Sequence, residues 1–307
     1  MHATSIDFCI PYVGSGLTCL EFLIQNVLQT SAYPDRIKFN ISYHSEDDLA
    51  ILKSSTYFKN ISKVIYTEPF SKTIPFFASA NHSSAVNNLS NNSDGEIIII
   101  CDYDMSFVKK GWDSLIENQI LNSESDCLGV AYQPYISNVQ LKKIPWLSNV
   151  EVAKYQKLPN LSFFCFKRNV FIEIFNRKLT SFDNFLSEGG LPFRLINTQY
   201  LSLVNNLPLG TMQWLDTGYE IPEIIYERKL KYKTLFPVDY SQQNILDYVI
   251  KPNETPRILL PEIFFLDPKT PFLCHFKKGT AKMNSSNGGS EFQKFKNCVE
   301  KFLNLQK

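Results

Sequence analysis

The chain has 307 residues, 44% of them apolar, which is enough for a sizeable core in one elaborated α/β domain or two closely packed halves. A net charge of +1 argues against nucleic acid or another polyanion as the main partner. Seven scattered cysteines, never spaced C-x-x-C, argue against a disulfide framework or a zinc knuckle and fit reduced thiols.

Residues 6–10 are a short apolar strand that breaks at Pro11, and the small-residue loop Tyr12-Val13-Gly14-Ser15-Gly16 follows. Leu20, Leu23, Ile24, Val27 and Leu28 then recur at helical spacing. Residues 37–43 form a second strand that runs into Ser45-Glu46-Asp47-Asp48, a polar cluster suited to cap a helix through Leu52. Residues 64–66 give a third strand, and residues 76–89 a helix. An Asn/Ser-rich segment then delivers the chain to Ile97-Ile98-Ile99-Ile100-Cys101. Four consecutive isoleucines after Gly95 read as a strand buried on both faces, as in a parallel sheet. Residues 1–125 therefore read βαβαβαβ, with helices on the faces of the sheet.

Asp102 and Asp104 follow that strand directly. Ligands of open α/β sheets bind at the carboxyl ends of strands. Side chains alternate along extended backbone, so the two carboxylates can point the same way and hold a hard divalent cation. Aspartate also suits a plain turn, through its own local hydrogen bonds.

The second half is less regular. Residues 112–121 are a helix, 127–132 a strand, and 161–166 a strand feeding a helix through Phe175. Residues 181–192, with Glu188-Gly189-Gly190, read as an exposed loop. Trp214-Leu215-Asp216-Thr217-Gly218-Tyr219-Glu220 precedes a helix to Lys231, and a proline-studded aromatic stretch from 236 to 271 leads to Phe272-Leu273-Cys274-His275-Phe276-Lys277-Lys278-Gly279. The tail places Phe292, Phe295, Val299, Phe302 and Leu303 on one helical face, fit to dock on the domain or to lie on a membrane surface. The N-terminal stretch lacks a basic-then-apolar leader, and no run is long enough to span a bilayer, so a soluble, cytoplasmic protein is expected.

The order of these pieces resembles the GT-A glycosyltransferases, most nearly the broad family-2-like group that uses nucleotide sugars. Ile10-Pro11-Tyr12 is similar to the family's first nucleotide-contacting loop. A helix bearing Ala80-Asn81, leading through Asp94-Gly95-Glu96 into the Ile strand, is similar to its approach to the metal motif, and Asp102-Tyr103-Asp104 resembles the motif itself. The resemblance implies a GT-A-type (Rossmann-like) α/β fold with a mixed, mostly parallel central sheet. Residues 1–125 would be the nucleotide-sugar half, 126–280 the acceptor half of the same domain, and 281–307 a helical tail.

It also implies roles. Asp104 would ligate Mn²⁺ or Mg²⁺, and Asp102 would contact the ribose or a water on the metal. His275 would be a late metal ligand, and Lys277 and Lys278 would add positive charge at the leaving group. Pro11, Tyr12, Asp47 and Asn81 would help to bind the donor. Asp216 would be the general base of an inverting transfer to a glycan or lipid-linked acceptor in surface-polysaccharide assembly. Glu220, one helical turn on, is the reserve. The family's usual Glu before the base is Leu215 here, and its aspartate-rich loop after the second strand is shifted to Tyr43-His44-Ser45-Glu46-Asp47-Asp48. Asp216 also suits a helix N-cap. Two other readings fit the D-x-D after a strand: a haloacid-dehalogenase-like phosphatase with Asp102 as nucleophile and Asp104 as acid/base, and a non-catalytic carbohydrate-binding module.

Overall fold

The structure is a computed structural model that describes residues 4–69, 78–122, 125–131, 158–179, 220–237, 261–267, 269–276, 283 and 285–306. In chain order its strands are β1 (Ile6–Pro11), β2 (Ile37–Tyr43), β3 (Ile61–Tyr66), β4 (Ile97–Cys101), β5 (Met105–Phe107), β6 (Cys127–Ala131), β7 (Pro159–Lys167), β8 (Tyr232–Pro237), β9 (Glu262–Asp267) and β10 (Thr270–His275). The helices are α1 (Leu17–Thr30), α2 (Glu46–Lys53), α3 (Ala78–Asn91), α4 (Trp112–Glu117), α5 (Arg168–Glu173), α6 (Glu220–Glu227) and α7 (Gly288–Asn304). The strands form one sheet in the order β3-β2-β1-β4-β7-β6-β8-β9-β10-β5. β1 to β4 are mutually parallel; β6 and β8 run with them, and β7 runs against them between β4 and β6. The fold is thus α/β with a mixed, mostly parallel main sheet, extended by the antiparallel strands β9, β10 and β5.

Period-two alternation sorts the isoleucines between two cores. Ile97 and Ile99 join Phe8, Ile10, Phe39 and Ile41 under α1, α2 and α4, packing on Leu20, Leu23, Leu52 and Trp112. Ile98 and Ile100 face the other way, onto Val86 and Leu89 of α3, Phe171 of α5 and Ile225 of α6. Each residue of β4 is therefore fully buried, which is why the strand needs no polar face.

Ser45 caps α2 as its pattern implies, its hydroxyl accepting from the Asp48 amide at 3.1 Å. The third strand begins three residues earlier than expected, at Ile61. The fourth helix continues through a π turn at Asn118–Asn122. α6 stops at Glu227, short of the expected Lys231. Lys229 takes a left-handed φ of 53°, the Leu230 amide donates back to the Ile225 carbonyl, and buried Leu230 closes the end before β8 begins. The proline-studded stretch contributes β9, whose Ile263, Phe264 and Phe265 are all buried. Prolines at 237, 261 and 271 fall at or near strand ends, where a missing amide does least harm.

The apolar stripe of α7 is docked on the protein. Phe292, Phe295, Val299 and Phe302 pack with Cys19, Val108, Phe265, Cys274 and Phe276, beside Phe22. Among the described residues no helix is long and apolar enough to cross a membrane.

Candidate metal centre

The Ile strand ends in a tight turn. The Asp102 amide donates to the Ser162 carbonyl of β7, and the Met105 amide closes back onto the Asp102 carbonyl at 3.1 Å. The two aspartates therefore sit on turn backbone, and the turn, not the alternation of an extended strand, brings them together. Reversal is required here because β5 must pair antiparallel with β10, Met105 opposite His275. That pairing carries His275 to the turn, and the Phe276 amide donates to the Asp104 carbonyl at 2.8 Å.

Asp102, Asp104 and His275 each offer a ligand atom within 4.8 Å of the others. His275 Nε2 stands 3.3 Å from Asp104 Oδ1, and its Nδ1 stands 2.9 Å from Glu262 Oε2. Two carboxylates and one imidazole are a donor set for a borderline divalent ion. Cis ligands about 2.1 Å from an octahedral ion lie about 3 Å apart, so the 3.3 Å separation suits a shared ion. Burial alone would lower the pKa of His275, but the carboxylates of Asp104 and Glu262 outweigh it and push the imidazole up to about 10.

The Asp104 side chain is 12% exposed, whereas that of Asp102 is 30% exposed and lies 3.3 Å from His82 Nε2. His82 sits in the first half of α3, next to half-buried Asn81. Tyr103, between the aspartates, lays its ring on Gly16 and meets Tyr12 edge-on at 6.2 Å. Tyr12 is itself 1% exposed, its hydroxyl donating to the Gly14 carbonyl at 3.1 Å. It shapes the first loop from inside, behind Pro11. Asp47 is exposed on the first turn of α2; the neighbouring Asp48 is the acid that reaches the loop, accepting from the Gly14 amide at 2.6 Å.

Glu220 is the first residue of α6. Trp214, Asp216, Lys277 and Lys278 lie outside the described residues, as does the expected loop at 181–192. His82, Asp48 and Glu262 were not singled out by sequence reasoning. Asp48 had a signal in the S-x-x-D capping pattern; a contact between α3 and a strand end, or between two strands, leaves none.

No protein-family model matches the chain, and no curated protein does. Solved structures with similar portions include a mannosyltransferase from Pyrobaculum calidifontis in complex with GDP-Man and Mn²⁺, at 14% identity and a TM-score of 0.38, over 56% of this chain and 46% of that one. Glucosyl-3-phosphoglycerate synthase from Mycobacterium tuberculosis, in complex with Mn²⁺, UDP and phosphoglyceric acid, matches at 13% identity and a TM-score of 0.37, over 56% and 58%. The galactosyltransferase LgtC matches at 15% identity and a TM-score of 0.36, over 53% and 58%. The chain thus spans about half the length of the solved structures it matches. At such identities and scores, the functional reading rests on this chain's own residues.

Proposed function

We propose that this chain is a metal-dependent glycosyltransferase that moves a sugar from a nucleoside-diphosphate donor to a glycan or lipid-linked acceptor. One observation carries the reading: two carboxylates from the turn between β4 and β5 and an imidazole from β10 converge where the central strand ends. That is the position at which an open α/β sheet binds its ligand. Asp102, Asp104 and His275 would hold the ion. An imidazole in the set favours Mn²⁺ over Mg²⁺, which takes oxygen ligands and gives up its waters reluctantly.

A Mn²⁺ ion held there would neutralise the charge gained by the departing nucleoside diphosphate without a proton transfer. The loop at Pro11 and Tyr12, tied to α2 through Asp48, would cradle the nucleoside side of the donor, with Asp47 and Asn81 at its rim. Lys278, shortly after His275 in the chain, would add positive charge at the diphosphate. Asp216 would take the proton of the acceptor hydroxyl, with Glu220 as the reserve, in an inverting displacement. We assign the chain to surface-polysaccharide assembly on the cytoplasmic side, with any membrane contact made by the polar face of α7, since its apolar face is occupied.

The test is a panel of nucleotide sugars assayed for Mn²⁺-dependent transfer or slow donor hydrolysis, with Asp104→Ala alongside. At least one donor should turn over with the wild-type protein and none with the variant. Equal turnover by the two proteins, or none by either across the panel, would sink the reading.

A further inference from the structure

Glu262 stands behind the triad, not in it. It opens β9 directly across from His275 at the end of β10, in an antiparallel register that sets the two side chains on one face. Its side chain is 5% exposed, and its Oε2 lies 2.9 Å from His275 Nδ1. An acid buried this deeply is costly, and an apolar residue of similar size would often stabilise the fold as well or better. Its placement has a second consequence. A carboxylate that holds Nδ1–H turns Nε2 to the other side of the ring, and here Nε2 faces Asp104 at 3.3 Å; an ion bound there would take the place of the Nε2 proton.

We propose that Glu262 is a positioning residue, which fixes the tautomer and ring orientation of His275 so that Nε2 points at the ion held with Asp102 and Asp104. The role rests on the metal-centre reading above. Glu262 touches neither ion nor substrate; it acts through the histidine. Ligating histidines are commonly oriented in this way, and loss of such a partner weakens metal binding roughly 10–100-fold.

The experiment is calorimetric titration of Mn²⁺ into the full chain for wild type, Glu262→Gln, Glu262→Leu and Asp104→Ala, with melting of each metal-free protein read in parallel. The glutamine keeps an acceptor for Nδ1–H and should bind Mn²⁺ nearly as the wild type does. The leucine fills the space without an acceptor and should lose roughly 10–100-fold in affinity. In a His275→Ala background, the leucine substitution should cost no further affinity. The proposal is overturned if Glu262→Leu binds like wild type, or if Glu262→Gln loses as much as Glu262→Leu. Should the leucine variant fail to fold, a loss of affinity in the glutamine variant still overturns it. The Asp104→Ala arm separates the two readings. If that variant also keeps wild-type affinity, the metal centre falls and this role with it; if it loses affinity while Glu262→Leu does not, only the positioning role falls.

Discussion

Replacing Gly16 with alanine should disturb the metal centre from a distance. A Cβ at this position would sit 2.4 Å from Tyr103 Cε2 and 2.6 Å from Cζ, whereas ordinary van der Waals contact begins at 3.4 Å. The ring must therefore retreat by about 1 Å (3.4 − 2.4). It has little room, since it meets Tyr12 edge-on and packs against both the main core and the cluster under α7. Overpacking of this kind costs roughly 1–3 kcal/mol. Tyr103 lies between Asp102 and Asp104, so any backbone shift that carries its ring away also displaces their carboxylates, and metal sites tolerate only roughly 0.2 Å. The assay is thermal melting with and without Mn²⁺. An ion at one hundred times its Kd stabilises the folded state by about 2.7 kcal/mol; Gly16→Ala should lower the metal-free melting temperature and lose most of that Mn²⁺ increment. Adding Tyr103→Ala removes the clash, so the double variant should be no less stable than Tyr103→Ala alone. The reasoning is refuted if Gly16→Ala melts and responds to Mn²⁺ as wild type does, or if the two substitutions simply add.

Arg36 bridges buried Asp113 and Glu117, and Asp113 also accepts from the Ala32 and Tyr33 amides at 2.6 and 3.0 Å. Asp113→Ala should destabilise the fold by about 1–3 kcal/mol in urea unfolding, because it leaves the two amides without their acceptor and Arg36 with Glu117 alone. Burial alone would raise the pKa of Glu117, but hydrogen bonds from Thr4 and Arg36 and the arginine charge outweigh it and hold the carboxyl below its usual value. A depressed folded pKa contributes stability above the unfolded pKa, and that contribution is lost as pH falls through the folded one. Stability measured on acidification should thus drop less in Glu117→Gln than in wild type. All seven cysteines are buried, and burial raises the pKa of most of them, Cys9 and Cys19 to about 12. Native protein should therefore react with a thiol reagent far more slowly than urea-unfolded protein, and rapid reaction of even one thiol would contradict the packing of the cores.

The first half of the fold was legible because local pattern and tertiary role agree there. A strand of isoleucines has no polar face to spare, so it must lie between two helical layers, and the polar cluster Ser45-Glu46-Asp47-Asp48 marks the start of α2. β8 and β9 were not legible, since Tyr232–Pro237 and Glu262–Asp267 carry no alternation, and the first ends in a proline while prolines flank the second, so both read as loop. At the site, Asp102 and Asp104 announce themselves by following a buried strand, and His275 by its place before two lysines and a glycine. Glu262 could not be read, because its partner is set by the register of β9 on β10, which shifts twice along the pair. His82 was hidden in a helical pattern that says nothing of which strand end it faces. Asp47 and Asp48 are adjacent, and only the rotation of α2 decides which reaches Gly14.

The central claim is that Asp102, Asp104 and His275 hold an ion that receives a nucleoside diphosphate. Calorimetric titration of UDP and GDP into the full chain, with and without saturating Mn²⁺, tests it most directly when wild type and Asp104→Ala are compared. One of the two nucleotides should bind wild type in a Mn²⁺-dependent manner, and the variant should lose that dependence. Binding that ignores Mn²⁺, or that survives unchanged in Asp104→Ala, would contradict the account.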